Sequence, residues 1–565
     1  MFRSCSQASC PAIVRKDCAK WLSELDESLP SVVIAAQDAS GTDLSAVRVR
    51  LDEREVATQL DGGPIAVDPG EHTRRDRRAR HRCGTLRDPG LVAPHADRPP
   101  LNMTTSQTLP TTSLPAPRLE SLLAALSADD TSRTSPLDAL DTLAASPSAA
   151  PVHVVYGGAH LYRADSPAKL GKIAHAAMDT WGRDEAVFAS LVGVREGDRS
   201  ALAGELARRV CEKLASAAIE KTCIDFEDGY GPRRDEEEDA EAVRAAGELA
   251  RAALSGAAQP VIGIRIKSLA AATAARAART LDLFVSTLAQ ATNGVLPEGF
   301  TVTLPKVTRI AEVAALADLL EALEGALGIG RPIGVELMVE TPRSLVDADG
   351  RIALPSFVAA ARGRCVAAHL GAYDLMASIG VTAGEQRLEH PVCEAARLLM
   401  QLSLADSGVV VVDGATTVLP IARHRETANA PLTDAQRAIN TGDVHTAWAL
   451  HATAVRRALS LGIYQGWDLH PAQLPARYGA VYAFFLAERA PMASRLRAFV
   501  SRATQATRSG QVFDDAATGQ GILNFFVRGV ACGALSDADV QATGLSIDEL
   551  RARSFAKIVA ARSAP

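Results

Sequence analysis

The sequence predicts a (β/α)8 TIM barrel with helical insertions, preceded by a small β-rich appendage. Three observations carry this reading. Eight short apolar runs follow one another after residue 150, stretches with helical periodicity separate them, and most of the runs end in a charged group. Near-continuous apolar strands alternating with helices indicate a parallel sheet covered by helices, and eight such units indicate a closed one.

The runs are 152–158, 223–230, 261–268, 300–307, 333–341, 365–375, 409–414 and 467–471. Between the fourth and fifth, Ile310, Val313, Ala317 and Leu320 recur on one helical face. The span exceeds the ~250 residues typical of this barrel, so extra helices must be inserted; 182–219 and 422–461 are the candidates. A doubly wound open sheet is the competing fold.

A chain of 565 residues is long enough for this large domain and an appendage. The barrel is expected over 118–540, with a C-terminal helix over 541–565. In the first 72 residues, Cys18, Trp21, Leu22 and Leu25 have helical spacing, 31–36 is an apolar strand, and Val47-Arg48-Val49-Arg50-Leu51 alternates as a half-buried strand does. The stretch from Pro64 to His72 resembles the last strand and turn of a PEGA-like or carboxypeptidase-regulatory-like β-sandwich, which implies a binding or scaffold role. From Thr73 to Pro100 there are eight Arg, no Lys and no hydrophobic period, so 73–117 reads as a disordered linker. An Arg-rich arm for nucleic acid is one reading of it. The mixture also resembles translated non-coding sequence of a GC-rich genome, and Met103 opens a polar, start-like stretch, so the first hundred residues are expected to be dispensable.

The composition, 47% hydrophobic and 22% charged, is that of a soluble globular protein, and a net charge of -6 gives no reason to expect nucleic acid as the main partner. The nine cysteines are sparse and odd in number, and Cys5, Cys10 and Cys18 form no CxxC, so neither a disulfide framework nor a cysteine metal site is expected. No apolar run is long enough to span a bilayer, and a cytoplasmic location is expected.

In a barrel of this kind catalysis sits at the carboxyl ends of the strands. The charged residues there are Asp225, Glu227 and Asp228 after the second run, Arg265 and Lys267 after the third, Lys306 after the fourth, Glu340 after the fifth, Asp374 after the sixth, Asp413 after the seventh and His470 after the eighth. Carboxylates and cations therefore converge on one rim.

These strand ends resemble the citrate lyase beta-subunit and HpcH/HpaI aldolase family of the phosphoenolpyruvate/pyruvate barrel superfamily. Cys223-Ile224-Asp225-Phe226-Glu227-Asp228 is similar to the family's L-D-L-E-D, Ile264-Arg265-Ile266-Lys267-Ser268 to its V-R-V-N-S, and Leu304-Pro305-Lys306-Val307 to its L-P-K-V. Glu340-Thr341 resembles its I-E-T segment, Gly371-Ala372-Tyr373-Asp374-Leu375 its G-x-x-D-L, and His470-Pro471-Ala472-Gln473 its H-P-x-Q. Lys267 stands where the family often has Asn, and Tyr156-Gly157-Gly158-Ala159-His160 departs from its F-V-P-G-x-R, which points to a subgroup with its own substrate.

The resemblance implies enolate chemistry: cleavage or formation of a carbon–carbon bond beside a 2-oxo acid or acyl thioester, in a homo-oligomer. It implies that Glu340 and Asp374 hold Mg2+ or Mn2+, hard ions suited to carboxylates, water and substrate oxygens. Asp225, Glu227 and Asp228 would stand behind the metal and orient bound water. Arg265 offers a planar fork for a substrate carboxylate, and His470 would also contact substrate. Asp514, in a stretch resembling a late G-x-x-x-D, would move the proton, with Asp515 the neighbouring candidate and a helix N-cap the alternative. Two alternatives stay open: a Schiff-base aldolase using Lys306 or Lys267, and a non-catalytic regulatory barrel. No GxSxG, HExxH or Walker motif occurs, and Gly328-Ile329-Gly330-Arg331 fits no dinucleotide fingerprint. The acidic run 235–239 reads as a solvated helix start, and His445 and His451 as helix surface or core.

Overall fold

The computed structural model describes residues 112–124, 151–256, 261–405, 407–426, 431–508 and 516–563, together with five short strands between 31 and 76. It divides into two units, 1–106 and 107–565. In the first unit, Ser31–Val32 pairs antiparallel with Ile65–Ala66, and Val49–Leu51 lies between Arg54–Ala57 and Arg74–Asp76.

The second unit is a closed parallel barrel. Its strands are β1 (His153–Gly158), β2 (Lys221–Asp225), β3 (Val261–Arg265), β4 (Gly299–Leu304), β5 (Gly334–Val339), β6 (Cys365–Leu370), β7 (Val410–Asp413) and β8 (Gln465–Asp468). Each pairs with its neighbour in sequence, and β8 closes on β1. All eight expected strands are present, and all but β1 end before the expected run does, where polar residues leave the ladder for the rim. The expected insertions are helices Glu185–Leu191 and Glu196–Ala217 before β2, and Asp434–Ser460 before β8. The last of these starts at a capping box in which Thr433 and Gln436 satisfy each other's backbone N–H.

Strand alternation decides what each residue faces. On β5, Val335, Leu337 and Val339 pack outward into the main apolar core, which leaves Glu336 and Met338 facing the lumen and Glu340 at its mouth. On β6, Ala368 and Leu370 pack outward, so Ala367, His369 and Gly371 face in. The lumen holds a small apolar cluster of Val154, Cys223, Ala367 and Val412. It also holds a buried polar network. Glu336 pairs with Lys221, accepts from Thr303 (3.0 Å) and faces His369 (3.3 Å), whose other ring nitrogen lies 3.3 Å from the Tyr156 hydroxyl. Burial works against the Glu336 charge, but Lys221 and His369 hold its carboxyl well below the usual carboxylate range.

Two expected boundaries shift. The segment 73–117 carries structure at both ends: the strand Arg74–Asp76, and the start of helix Ala116–Ala124. Just before that helix, the Ser113 and Leu114 N–H groups donate to Asp282 (2.9 and 3.2 Å), and the Leu114 side chain is buried in the barrel's main core. Residues 541–565 are not one helix. Short helices at Ile547–Arg551 and Phe555–Ser563 bury Leu550, Phe555 and Ile558 in the same core as the long helix Leu474–Arg508. A chain beginning at Met103 is therefore expected to keep its melting temperature. One beginning at Arg118 should lose about 2 kcal/mol, from the Leu114 side chain returned to water and the Asp282 carboxylate stripped of two donors. Thermal and denaturant melts of the two truncated chains check this.

Candidate functional site

The rim of the barrel gathers five carboxylates, Asp225, Glu227, Asp228, Glu340 and Asp374, and two cations, Arg265 and Lys306. Lys306, just past β4, is their hub. Its Nζ lies 2.5 Å from Glu227 Oε1, 3.2 Å from Asp228 Oδ1 and 3.3 Å from Asp374 Oδ2, while its backbone N–H donates to Glu340 Oε1 at 2.6 Å. Burial alone would weaken its charge, but its hydrogen bond to Glu227 and the charges of Glu227, Glu340 and Asp228 raise the ammonium above its ordinary pKa.

Glu340 is buried, and burial followed by the charge of Asp374 pushes its carboxyl up to about 8, against the pull of Lys306 and Arg265. Asp374 stands on the first turn of helix Ala372–Ser378 and is 42% exposed, so the pair combines one buried and one open carboxylate. Gly371 makes room for them: a Cβ there would lie 2.4 Å from Glu340 Cβ and 2.5 Å from Oε2. Gly371→Ala is expected to displace Glu340 and to weaken Mn2+ binding about tenfold or more, since overpacking of this kind costs ~1–3 kcal/mol. A calorimetric titration of the variant checks it.

Glu227 and Asp228 share a proton-binding pair. Burial raises Glu227, whereas Asp228, despite its own burial, is held low by the hydrogen bond from Glu227 and by Arg265 and Lys306. Arg265 is buried at the end of β3. Its Nε donates to Asp225 Oδ1 at 2.7 Å, its Nη2 pairs with Asp225 Oδ2, and its Nη1 lies 3.3 Å from Glu227. The guanidinium also lies over the rings of Tyr156 (5.1 Å) and Trp467 (5.7 Å).

Several expected roles change. Asp225 is Arg265's bidentate partner and also accepts the Glu227 and Gly229 N–H groups. The Arg265 fork is thus engaged by Asp225, and Nη1 by Glu227 and Asp228. His470 caps the short helix Pro471–Gln473: its Nδ1 accepts the Ala472 N–H at 3.1 Å, and burial keeps the ring neutral. Asp413 belongs to the outer face of β7, where it accepts from Arg397 at 2.7 Å. Lys267 is held by the buried Glu238 (2.6 Å) and the Phe226 carbonyl. Asp514 and Asp515 lie outside the described residues.

Other residues escaped the sequence reading. Tyr156 and Trp467, a close aromatic pair from β1 and β8, form the wall behind Arg265, and nothing in their local sequence indicates it. Asp468 gathers Arg477 (2.7 Å), His451 (3.0 Å) and His153 (3.6 Å) on the outer side of β8. His451 is accordingly core, and its Nδ1 meets Thr416 Oγ1 at 2.7 Å.

Among the described residues no three His, Cys, Asp or Glu side chains close a metal cage by themselves. The donor set nonetheless fits a hard divalent cation that takes its remaining ligands from water and substrate. Glu340 and Asp374 are adjacent oxygen donors, and burial together with the Asp374 charge leaves the Glu340 carboxylate incompletely compensated by Lys306 and Arg265. Among the described residues, no helix is long and apolar enough to cross a membrane.

Compared with solved structures, a citrate lyase of Burkholderia xenovorans LB400 aligns at 18% identity over 73% of this chain and 100% of its own, with a TM-score of 0.42. A citrate lyase beta subunit of M. tuberculosis, solved with oxaloacetate and magnesium, aligns at 19% identity over 59% of this chain and 98% of its own (TM-score 0.32). A malate synthase of Haloferax volcanii aligns at 13% identity over 73% and 97% (TM-score 0.35). No curated protein matches the sequence. The family described as a domain of unknown function, DUF6986, matches residues 144–558, which takes in all eight barrel strands and the whole rim. The chain belongs to the DUF6986 family.

Proposed function

We propose that this protein is a divalent-metal-dependent carbon–carbon lyase or condensing enzyme acting on a 2-oxo acid or an acyl-CoA. The observation that carries the reading is the Glu340–Asp374 pair, following neighbouring strands at the barrel rim, with the buried Glu340 pushed up to about 8 by burial and by the charge of Asp374. The strand-end motifs add to it, since Asp225, Arg265, Lys306, Glu340 and Asp374 stand in the order of the aldolase family they resemble. Glu340 and Asp374 would hold Mg2+ or Mn2+, which when bound stabilises negative charge on an enolate oxygen.

The chain's own residues supply the rest. Asp225 locks the Arg265 guanidinium by two hydrogen bonds, and Tyr156 and Trp467 shield it from water. Glu227 and Asp228, one pushed up and the other held low, can pass a proton between them at the rim. Asp514 is kept as the candidate for the substrate proton.

The test is a panel of 2-oxo acids and acyl-CoA thioesters with Mg2+, products read by mass spectrometry. Turnover of a member of the panel that stops with chelator is expected; metal-loaded protein inert to the whole panel would overturn the reading. A Schiff-base route through Lys306 has less support, because a nucleophilic lysine must shed its proton and the carboxylates around Lys306 retain it. Borohydride with pyruvate should accordingly leave the chain unmodified.

A further inference from the structure

Lys306 is set into the rim in an unusual way. Its φ of 52° lies in the left-handed region, which residues carrying a Cβ seldom adopt outside functional or strained sites. That backbone turn aims its N–H at Glu340, and the side chain reaches Glu227, Asp228 and Asp374. One residue thus engages four of the five rim carboxylates, Asp225 being held by Arg265. Asp374 Oδ2 is the oxygen that the ammonium takes at 3.3 Å, and it belongs to one of the two proposed metal ligands. A divalent cation seated between Glu340 and Asp374 would lie within a few Å of Nζ, and like charges at that distance repel strongly near a protein surface. Meanwhile Arg265 is occupied by Asp225, Glu227 and Asp228. Both cations of the rim are therefore committed to carboxylates, and an anionic substrate meets no uncommitted one there.

We propose that Lys306 is the resident counter-ion of the metal site: a divalent cation binding at Glu340 and Asp374 displaces its ammonium from Asp374, and the N–H so vacated, with Glu227 and Asp228 still holding the rest of the ammonium, receives the carboxylate of the substrate. This rests on the metal reading given above. It makes metal binding the step that creates the anion contact, so the cation precedes the carboxylate. Lys306 is 36% exposed, so its amine can turn outward without opening the barrel.

The experiment is amine labelling of the full-length chain by reductive methylation, read at Lys306 by peptide mass spectrometry with and without Mg2+. Lys169, an exposed lysine on helix Ser166–Trp181, serves as the internal control. Calorimetry with Mg2+ runs in parallel. Saturating Mg2+ should raise Lys306 labelling about fivefold or more, because the half-exposed amine displaced from Asp374 turns outward toward the reagent. Lys169 should not change, and Asp374→Asn should abolish the effect. Oxalate should suppress Lys306 labelling in the metal-loaded chain alone. Lys306→Met should bind Mn2+ about tenfold tighter than wild type, the competing charge being gone. Unchanged or slower Lys306 labelling while calorimetry registers an ion overturns the proposal and leaves the metal site standing. Absence of any ion by calorimetry overturns the metal reading, and the proposal with it.

Discussion

The wild-type chain is expected to bind one divalent cation per molecule, and Glu340→Gln and Asp374→Asn are each expected to abolish that binding. Glu340 is 2% exposed and Asp374 42%, so one carboxylate would hold the ion from the buried side and the other from the open side. Glu340→Gln replaces a charged donor by a neutral amide of the same shape. The fold should be spared, since burial already holds that carboxyl up to about 8 and the uncharged form suits the site. Asp374→Asn removes the charge that repels Glu340 and also a partner of Lys306. Losing one of two charged ligands should cost at least ~2–3 kcal/mol, a factor of about 100 in affinity. Calorimetry with Mg2+ and Mn2+ checks it. Equal binding by wild type and both variants would show that the pair holds no ion, whereas melts should show little change for either.

The second large effect is on stability. Asp225→Ala should lower the unfolding free energy by about 3–5 kcal/mol, because it strands the buried Arg265 guanidinium without its bidentate partner. The nearby Glu227, 3.3 Å from Nη1, should keep the loss toward the lower end. Replacing both members of the pair with Leu should recover much of the stability, since a well-packed apolar pair can equal a buried ion pair. Denaturant midpoints of the single and double variants decide the matter. A loss under ~1 kcal/mol in Asp225→Ala would mean that Glu227 and Asp228 suffice to hold Arg265.

How much of this was legible beforehand differs between fold and site. Each barrel strand carries its own signature, because a strand buried on both faces must be apolar along its length: Val302 and Leu304 on β4 or Val335, Leu337 and Val339 on β5 are local facts. The order of the barrel follows from the order of those runs, and so does the convergence of Glu340, Asp374 and Lys306 on one rim. Even the depth of Glu336 below Glu340 can be read, since alternate residues of a strand share a face.

What the sequence by itself determined, then, is which residues reach the rim. Which side of the sheet they face, and which of them meet, only the tertiary structure decided. Asp225 and Asp413 both end apolar strands, yet the lumen gives one Arg265 and the outer face gives the other Arg397. The counter-ion of a buried charge comes from another strand or helix, 40 residues away for Arg265 and Asp225. Tyr156 and Trp467 touch only because β8 closes on β1, and Lys306 becomes a hub only because its backbone turns left-handed beside Glu340. Hydrophobic burial is a property of each segment and so is written locally. Charge compensation is a property of pairs, and pairing distant residues is what barrel closure does.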